Sequence, residues 1–332
     1  MNKKQSLILH ACLIAAIAVL VFSYAIPAMA LAEGSFDRTL QVNGPVNLDV
    51  STGSGNVDVH TGSSNQVIIH GRIRASLNSW FGSDNAQERV RKIEANPPIQ
   101  HSGNTIRIGH IDDPELRRNI SISYEITVPA ETRLQSHTGS GSQTVSGIHG
   151  ALDVDTGSGS LRISDIGDTV HASSGSGNIE IFTAKGNVRA RTGSGSIHAT
   201  GIAGGFEGDT GSGNITLEQS APGSVRVSTG SGSIELQSVR GSLEAKTGSG
   251  SIRANGDPSA AWMLHTGSGG VHLRVPSDAS FDLNAHTGSG SISLNHPVTV
   301  QGSIGRKEVH GKVHGGGAPV NVETGSGSIE ID

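Results

Sequence analysis

The chain has 332 residues, 47 of them glycine, with 3% aromatic and 16% charged side chains and a formal net charge of −5. Charge this sparse, with no basic cluster and no block of one sign, excludes a nucleic-acid footprint. Glycine without an every-third-residue period excludes collagen, and a hydrophobic share of 34% allows only a thin core.

The chain opens with Lys3 and Lys4, an almost wholly apolar run from Leu7 to Phe22, then Ala28-Met29-Ala30 and Ala30-Leu31-Ala32. That layout predicts a secretory signal over residues 1–32, cleaved before Leu31 or Glu33. The other reading is an uncleaved membrane anchor, which Ser23, Tyr24 and Pro27 weaken. Cys12, the only cysteine, lies inside the apolar run rather than at its end, so lipidation is not expected. A cleaved chain would carry no cysteine and would rely on packing and backbone pairing in an oxidising compartment.

Residues 33–74 read as first solenoid coils. Leu48, Val50, Val57 and Val59 alternate around Thr52-Gly53-Ser54-Gly55, and Val67 and Ile69 continue the pattern. Residues 75–119 break it and predict a helix-containing insertion or cover. Asp84 and Gln87 resemble a capping box, Ala86, Val90 and Ile93 share a helical face, and Pro97-Pro98 stops the helix. Ile106 and Ile108 suggest a strand. Trp80-Phe81, in a Ser/Gly loop, is the one aromatic platform that could serve as a contact surface for a sugar; packing under the cover helix is the plainer reading. Ile120, Ile122, Tyr124, Ile126 and Val128 then alternate back into the repeat.

Residues 120–332 form the predicted repeat domain. Thr-Gly-Ser-Gly recurs from Thr138 onward, with Ser174 replacing the first residue once, at steps of 18, 18, 18, 18, 19, 18, 19, 21 and finally 37. Between motifs, apolar residues alternate with polar ones, as in Ile234, Leu236, Leu243 and Ala245. An 18-residue unit cannot bury such a face alone, whereas stacked coils can. The pattern therefore predicts an all-β parallel β-helix, or β-solenoid, with about 18 residues per coil. Ile197, Ile215, Ile234 and Ile252 share one offset and should form one buried stack. Arg189, Glu207, Arg226 and Glu244 share another and should form an outward ladder of alternating sign. His265 and His286 each precede a motif and are expected on adjacent coils. A second insertion is expected near residues 300–320, around Gly315-Gly316-Gly317.

These units, the strand through Ile120–Pro129 and the closing segment Gly311–Ile331 resemble the bacterial DUF4097-type family of candidate adhesins. That family is related to the head GIN domain of candidate auto-transporter adhesins. The resemblance covers about Leu40 to Asp332. It implies a right-handed solenoid at the cell envelope and supplies no catalytic residues.

The residues themselves carry little chemistry. No Gly-Lys-Ser/Thr follows a glycine run, and no Gly-x-Ser-x-Gly elbow occurs. Calcium-binding β-roll repeats would need aspartate where this chain has Ser or Ile. His310 and His314 are four apart but lie in an extended pattern, so no metal site is expected. Asp112, Asp113 and Glu115 are the one dense acidic cluster, and Pro114 marks it as a loop. The expectation is an exported, non-enzymatic adhesin-like or structural protein of the periplasm or cell surface. It would need no cofactor, and its partner would be an envelope component such as a glycan. A carbohydrate-active enzyme on the same scaffold and an envelope accessory or signalling-linked protein are the alternatives. Contact with a membrane would run only through an uncleaved N-terminal segment.

Overall fold

A computed structural model describes residues 31–62, 65–76, 85–300 and 305–332. The apolar start of the predicted signal, residues 1–30, and the Trp80-Phe81 pair lie outside the described residues.

Each repeat folds as one coil of two strands. In strand Val188–Thr192, Val188, Ala190 and Thr192 point inward and Arg189 and Arg191 outward. Gly193-Ser194-Gly195 turns the chain, and strand Ile197–Ile202 brings Ile197, Ala199 and Ile202 inward. Successive coils pair in parallel and in register, Val188 with Phe206 and Ile197 with Ile215. The product is a solenoid of two facing sheets. Strands that run into the motif belong to a front sheet of 15 described strands, and those that leave it to a back sheet of 14. Between them, Ile197, Ile215, Ile234 and Ile252 are each no more than 1% exposed, as the shared offset predicts.

The motif is what lets coils stack this closely. Its threonine is buried in coil after coil. The Thr192 hydroxyl donates to the Gly177 carbonyl of the coil below at 2.8 Å, and Thr210 does the same to Gly195 at 2.8 Å. Ser174 keeps the hydroxyl and the bond, donating to Gly159 at 2.9 Å. The glycines are required by contact. A Cβ on Gly177 would lie 1.7 Å from the Gly159 carbonyl oxygen, and one on Gly193 would lie 2.4 Å from that of Gly175. Hydroxyl at the first position and bare backbone at the second and fourth are thus the conditions for a corner that repeats on itself.

At the N-terminal end the solenoid stops sooner than the apolar pattern suggests. Val67 and Ile69 are buried, but their strand, Gln66–Ser76, runs antiparallel to both Leu31–Gln41 and Ile120–Val128. The four residues between Val57–Thr61 and this strand match the short connections that close regular coils, three between Ile197–Ile202 and Phe206–Thr210, yet here the chain reverses and pairs between Leu31–Gln41 and Ile120–Val128. The insertion packs helix Ala86–Ala95 on Leu31–Gln41 through Ala86, Val90 and Ile93. Glu94 Oε1 accepts from the edge-strand amide of Ser35 at 2.9 Å. The helix cap differs from the expected capping box: Asn85 is the cap and makes no side-chain cap bond. The predicted strand at Ile106 is Thr105–Ile108, parallel to Val46–Ser54 at the front-sheet end.

At the other end, stack order departs from chain order. Strand Ala318–Ser326 lies between Trp262–Ser268 and Phe281–Ser289. Ile329–Ile331 likewise lies between Val271–Arg274 and Ile292–Leu294. Thr324 therefore rests on Thr266, and Thr287 on Thr324. The expected adjacency of His265 and His286 is wrong, because Glu323 separates them. The 37-residue step carries the chain out and back. Within it, Glu308–Val313 pairs antiparallel with Phe281–Ser289 and with Val298–Val300, closing the front sheet.

Candidate binding surface

The front sheet presents two outward columns, one from each polar position of its strands. Arg189, Glu207, Arg226 and Glu244 follow one another in register along the first, as their offsets predict. Their neighbours Val188, Phe206, Val225 and Leu243 are buried, so the charges cannot turn inward without a register slip. The second column runs Arg191, Asp209, Ser228 and Lys246 in the same coils.

The charges neutralise one another across and along the columns. Arg189 Nε donates to Glu207 at 2.9 Å, and Arg191 donates to the other Glu207 oxygen at 2.8 Å and to Asp209 at 3.3 Å. Arg226 contacts Glu244 at 2.9 Å, and Lys246 reaches the second Glu244 oxygen. The Arg189 hydrogen bond, backed by Arg191, holds the Glu207 carboxyl below the usual carboxylate range. Lys246 does the same for Glu244, with Arg226 adding charge. Arg191 is held above its ordinary value by its bond to Glu207. Along the first column runs a shallow groove of about 600 Å³, lined by His171, Arg189, Glu207, Arg226, Glu244 and Met263. Met263 ends it as an exposed apolar side chain.

Glycoside hydrolysis needs one carboxyl held protonated by a raised pKa beside a second acid. Among the described residues, the carboxylates that are displaced, Glu88, Glu207, Glu244 and Glu308, move downward because each accepts a bond from a base.

The other residues singled out from the sequence have structural partners. Asp113 caps the one-turn helix Pro114–Arg117 by accepting from the Glu115 amide at 2.9 Å, and Asp112 pairs with His110 at 2.9 Å. The expected loop at Pro114 is thus a short helix. His310 pairs with Glu308 at 2.7 Å, while His314 turns to the Ala279 carbonyl at 3.1 Å, so the two do not converge. Pairings made by the out-of-order strand follow no common offset in the sequence. His265 meets Glu323 at 3.3 Å on the front sheet, and His272 meets Glu330 and Asp332 on the back sheet, each at 3.2 Å. The 37-residue step was the only sign of them.

The Toastrack DUF4097 family model matches residues 164–332. Among solved structures, the chain is similar to one provisionally described as a cell adhesion protein, from Clostridium sporogenes. It is 13% identical, with 90% of this chain and 98% of that one covered and a TM-score of 0.19. A provisionally described adhesin from Bacteroides fragilis is also 13% identical, covers 90% and 97%, and has a TM-score of 0.29. Overlaps this loose transfer no function. No functionally curated protein matches the chain.

Proposed function

The chain belongs to the Toastrack DUF4097 family, and from that premise we propose that it is an exported, non-enzymatic, adhesin-like envelope protein whose front sheet is its contact surface. The observation that carries this reading is the in-register, charge-compensated ladder from Arg189 to Glu244 with its shallow groove. A flat face with fixed charge spacing recognises a repeating partner, and an envelope glycan is the partner class it fits. Among the described residues, no helix is long and apolar enough to cross a membrane.

Export is supported by the charged start, apolar run and small-residue sites of residues 1–32. Ala32 is buried in the edge strand Leu31–Gln41, so cleavage before Leu31 keeps that packed residue and cleavage before Glu33 removes it. Leu31 is therefore the expected mature N-terminus. Mass spectrometry of the envelope-derived protein checks this, and an intact Met1–Ala30 segment would point to an anchor instead.

Binding is tested by passing the mature protein over immobilised envelope glycans beside a variant carrying Arg189→Glu and Arg226→Glu. Retention that the double variant loses supports the front sheet as the contact surface. Equal retention of both moves the surface elsewhere, and release of new reducing ends from a polysaccharide would replace the non-enzymatic reading with the enzymatic one.

A further inference from the structure

We propose that His272, Glu330 and Asp332 form a site for a divalent transition-metal ion of the zinc type, which clamps the out-of-order C-terminal strand to the coil beneath it. One imidazole and two carboxylates converge here, with a donor atom from each lying within 4.8 Å of the others. His272 stands on Val271–Arg274, and Glu330 on Ile329–Ile331 is its partner in register. Asp332 follows two residues later on the same side of the chain.

The spacing suits an ion with short N and O bonds. Zinc bonds of about 2.0–2.1 Å put neighbouring tetrahedral ligands about 3.4 Å apart. His272 Nε2 and Asp332 Oδ2 stand 3.2 Å apart without any ion. An imidazole gives one nitrogen to one ion, so Nε2 and Asp332 form the fixed edge of the site. Glu330 now lies 3.2 Å from the opposite nitrogen, Nδ1, and its side chain is 53% exposed, so it is free to turn its carboxylate to complete the set. The set of one imidazole and two carboxylates favours zinc over calcium, which takes six to eight oxygen ligands.

The surroundings hold the fixed edge in place. Asn295 Nδ2 donates to the other Asp332 oxygen, an orienting bond from outside the ligand set. The Asp332 backbone is pinned on both sides, its amide donating to the Leu273 carbonyl at 2.9 Å and its main-chain oxygen accepting from the Val275 amide at 2.8 Å. Two side-chain carboxylates supply the anionic donors that a divalent ion needs. Arg253 lies in register beneath His272, with Glu235 in register on its far side. The side chains of His272, Glu330 and Asp332 are 33%, 53% and 27% exposed, so the site is open to solvent ions.

Isothermal titration of Zn²⁺ into the metal-free protein, with Ca²⁺ alongside, tests the assignment. One zinc per chain is expected, with little calcium binding. H272Q and D332N should each weaken zinc at least tenfold, and N295A by about tenfold through the loosened Asp332. H265A, which removes the other cross-strand His–Glu pair, should leave it unchanged. Amide exchange guards against a variant that merely misfolds: zinc should slow exchange in Ile329–Ile331 of the natural protein and not of H272Q. Equal zinc affinity in the natural protein and H272Q, or no zinc binding by the natural protein, would overturn the proposal.

Discussion

The Thr287 hydroxyl donates to the Gly327 carbonyl at 2.8 Å, so a motif threonine rests on a glycine that follows it by 40 residues. In the regular part of the solenoid the same bond points backward, from Thr192 to Gly177 across 15 residues. The geometry of the bond is the same and only the chain order differs. A corner of this kind accepts whichever motif is presented to it, because it reads hydroxyl and bare backbone and nothing else. The final repeat can thus slip beneath its predecessor without breaking the column.

This threading predicts which cysteines can be joined. Neighbouring coils stand about 4.8 Å apart and next-but-one coils about twice that, beyond the reach of a disulfide. Cysteines at His265 and Glu323, which are neighbours, should oxidise readily, and cysteines at His265 and His286 should not. Non-reducing mass spectrometry of the two double variants, made with Cys12 absent, reads the result. The reverse pattern would restore chain order to the stack.

The hydroxyl column should be measurable one rung at a time. Thr210→Val keeps the shape and takes the donor away from the Gly195 carbonyl, which should cost about 1–3 kcal/mol. Thr210→Ser should cost much less, since Ser174 shows that serine makes the same bond. Urea unfolding of the two variants compares them, and equal losses would mean that the methyl group, not the hydroxyl, matters.

The glycine requirement has an internal control. A Cβ on Gly177 meets the Gly159 carbonyl at 1.7 Å, whereas one on Gly53 meets nothing within 4 Å. Gly177→Ala should destabilise by about 1–3 kcal/mol through overpacking, and Gly53→Ala should be close to neutral. Similar thermal midpoints for both would sink the close-stacking account.

The apolar column should behave as core. Ile234 is 1% exposed, and Ile234→Ala should cost about 2–5 kcal/mol in chemical denaturation. A change near zero would mean that the two sheets close over the lost volume.

The charge ladder should show itself on the acid side. Folding lowers the Glu207 carboxyl through its Arg189 bond, so its contribution is present above the ordinary carboxylate range. It is lost as pH falls through the lower folded value, when the unfolded chain has already taken up its proton. For this exposed cluster the contribution should stay under about 1 kcal/mol. Glu207→Gln should therefore lower the neutral plateau by that small amount and flatten the acid limb, the two profiles converging at low pH. An unchanged acid limb would show that the ladder sets register without adding stability.

What the sequence determined by itself was everything local and periodic. Alternation gave the strands, the near-18-residue step gave the coil, and equal offsets placed Arg189 beside Glu207 and Ile215 beneath Ile234. These follow because each coil touches only its neighbours, so a repeat in the chain becomes a repeat in space. The tertiary structure decided both ends. Val67 and Ile69 show the same alternation as a coil strand and follow a connection long enough to close a coil, yet antiparallel pairing with Leu31–Gln41 and Ile120–Val128 makes them a cap. At the other end, the motifs at Thr287 and Thr324 are alike, so nothing in them says which is to lie on Thr266. That choice came from the intervening hairpin, which pairs with Phe281–Ser289 and closes the sheet on it, leaving the place beneath for the last strand. It also brought His272 to Glu330 and Asp332, a cluster that no spacing in the chain announces because two non-successive coils build it.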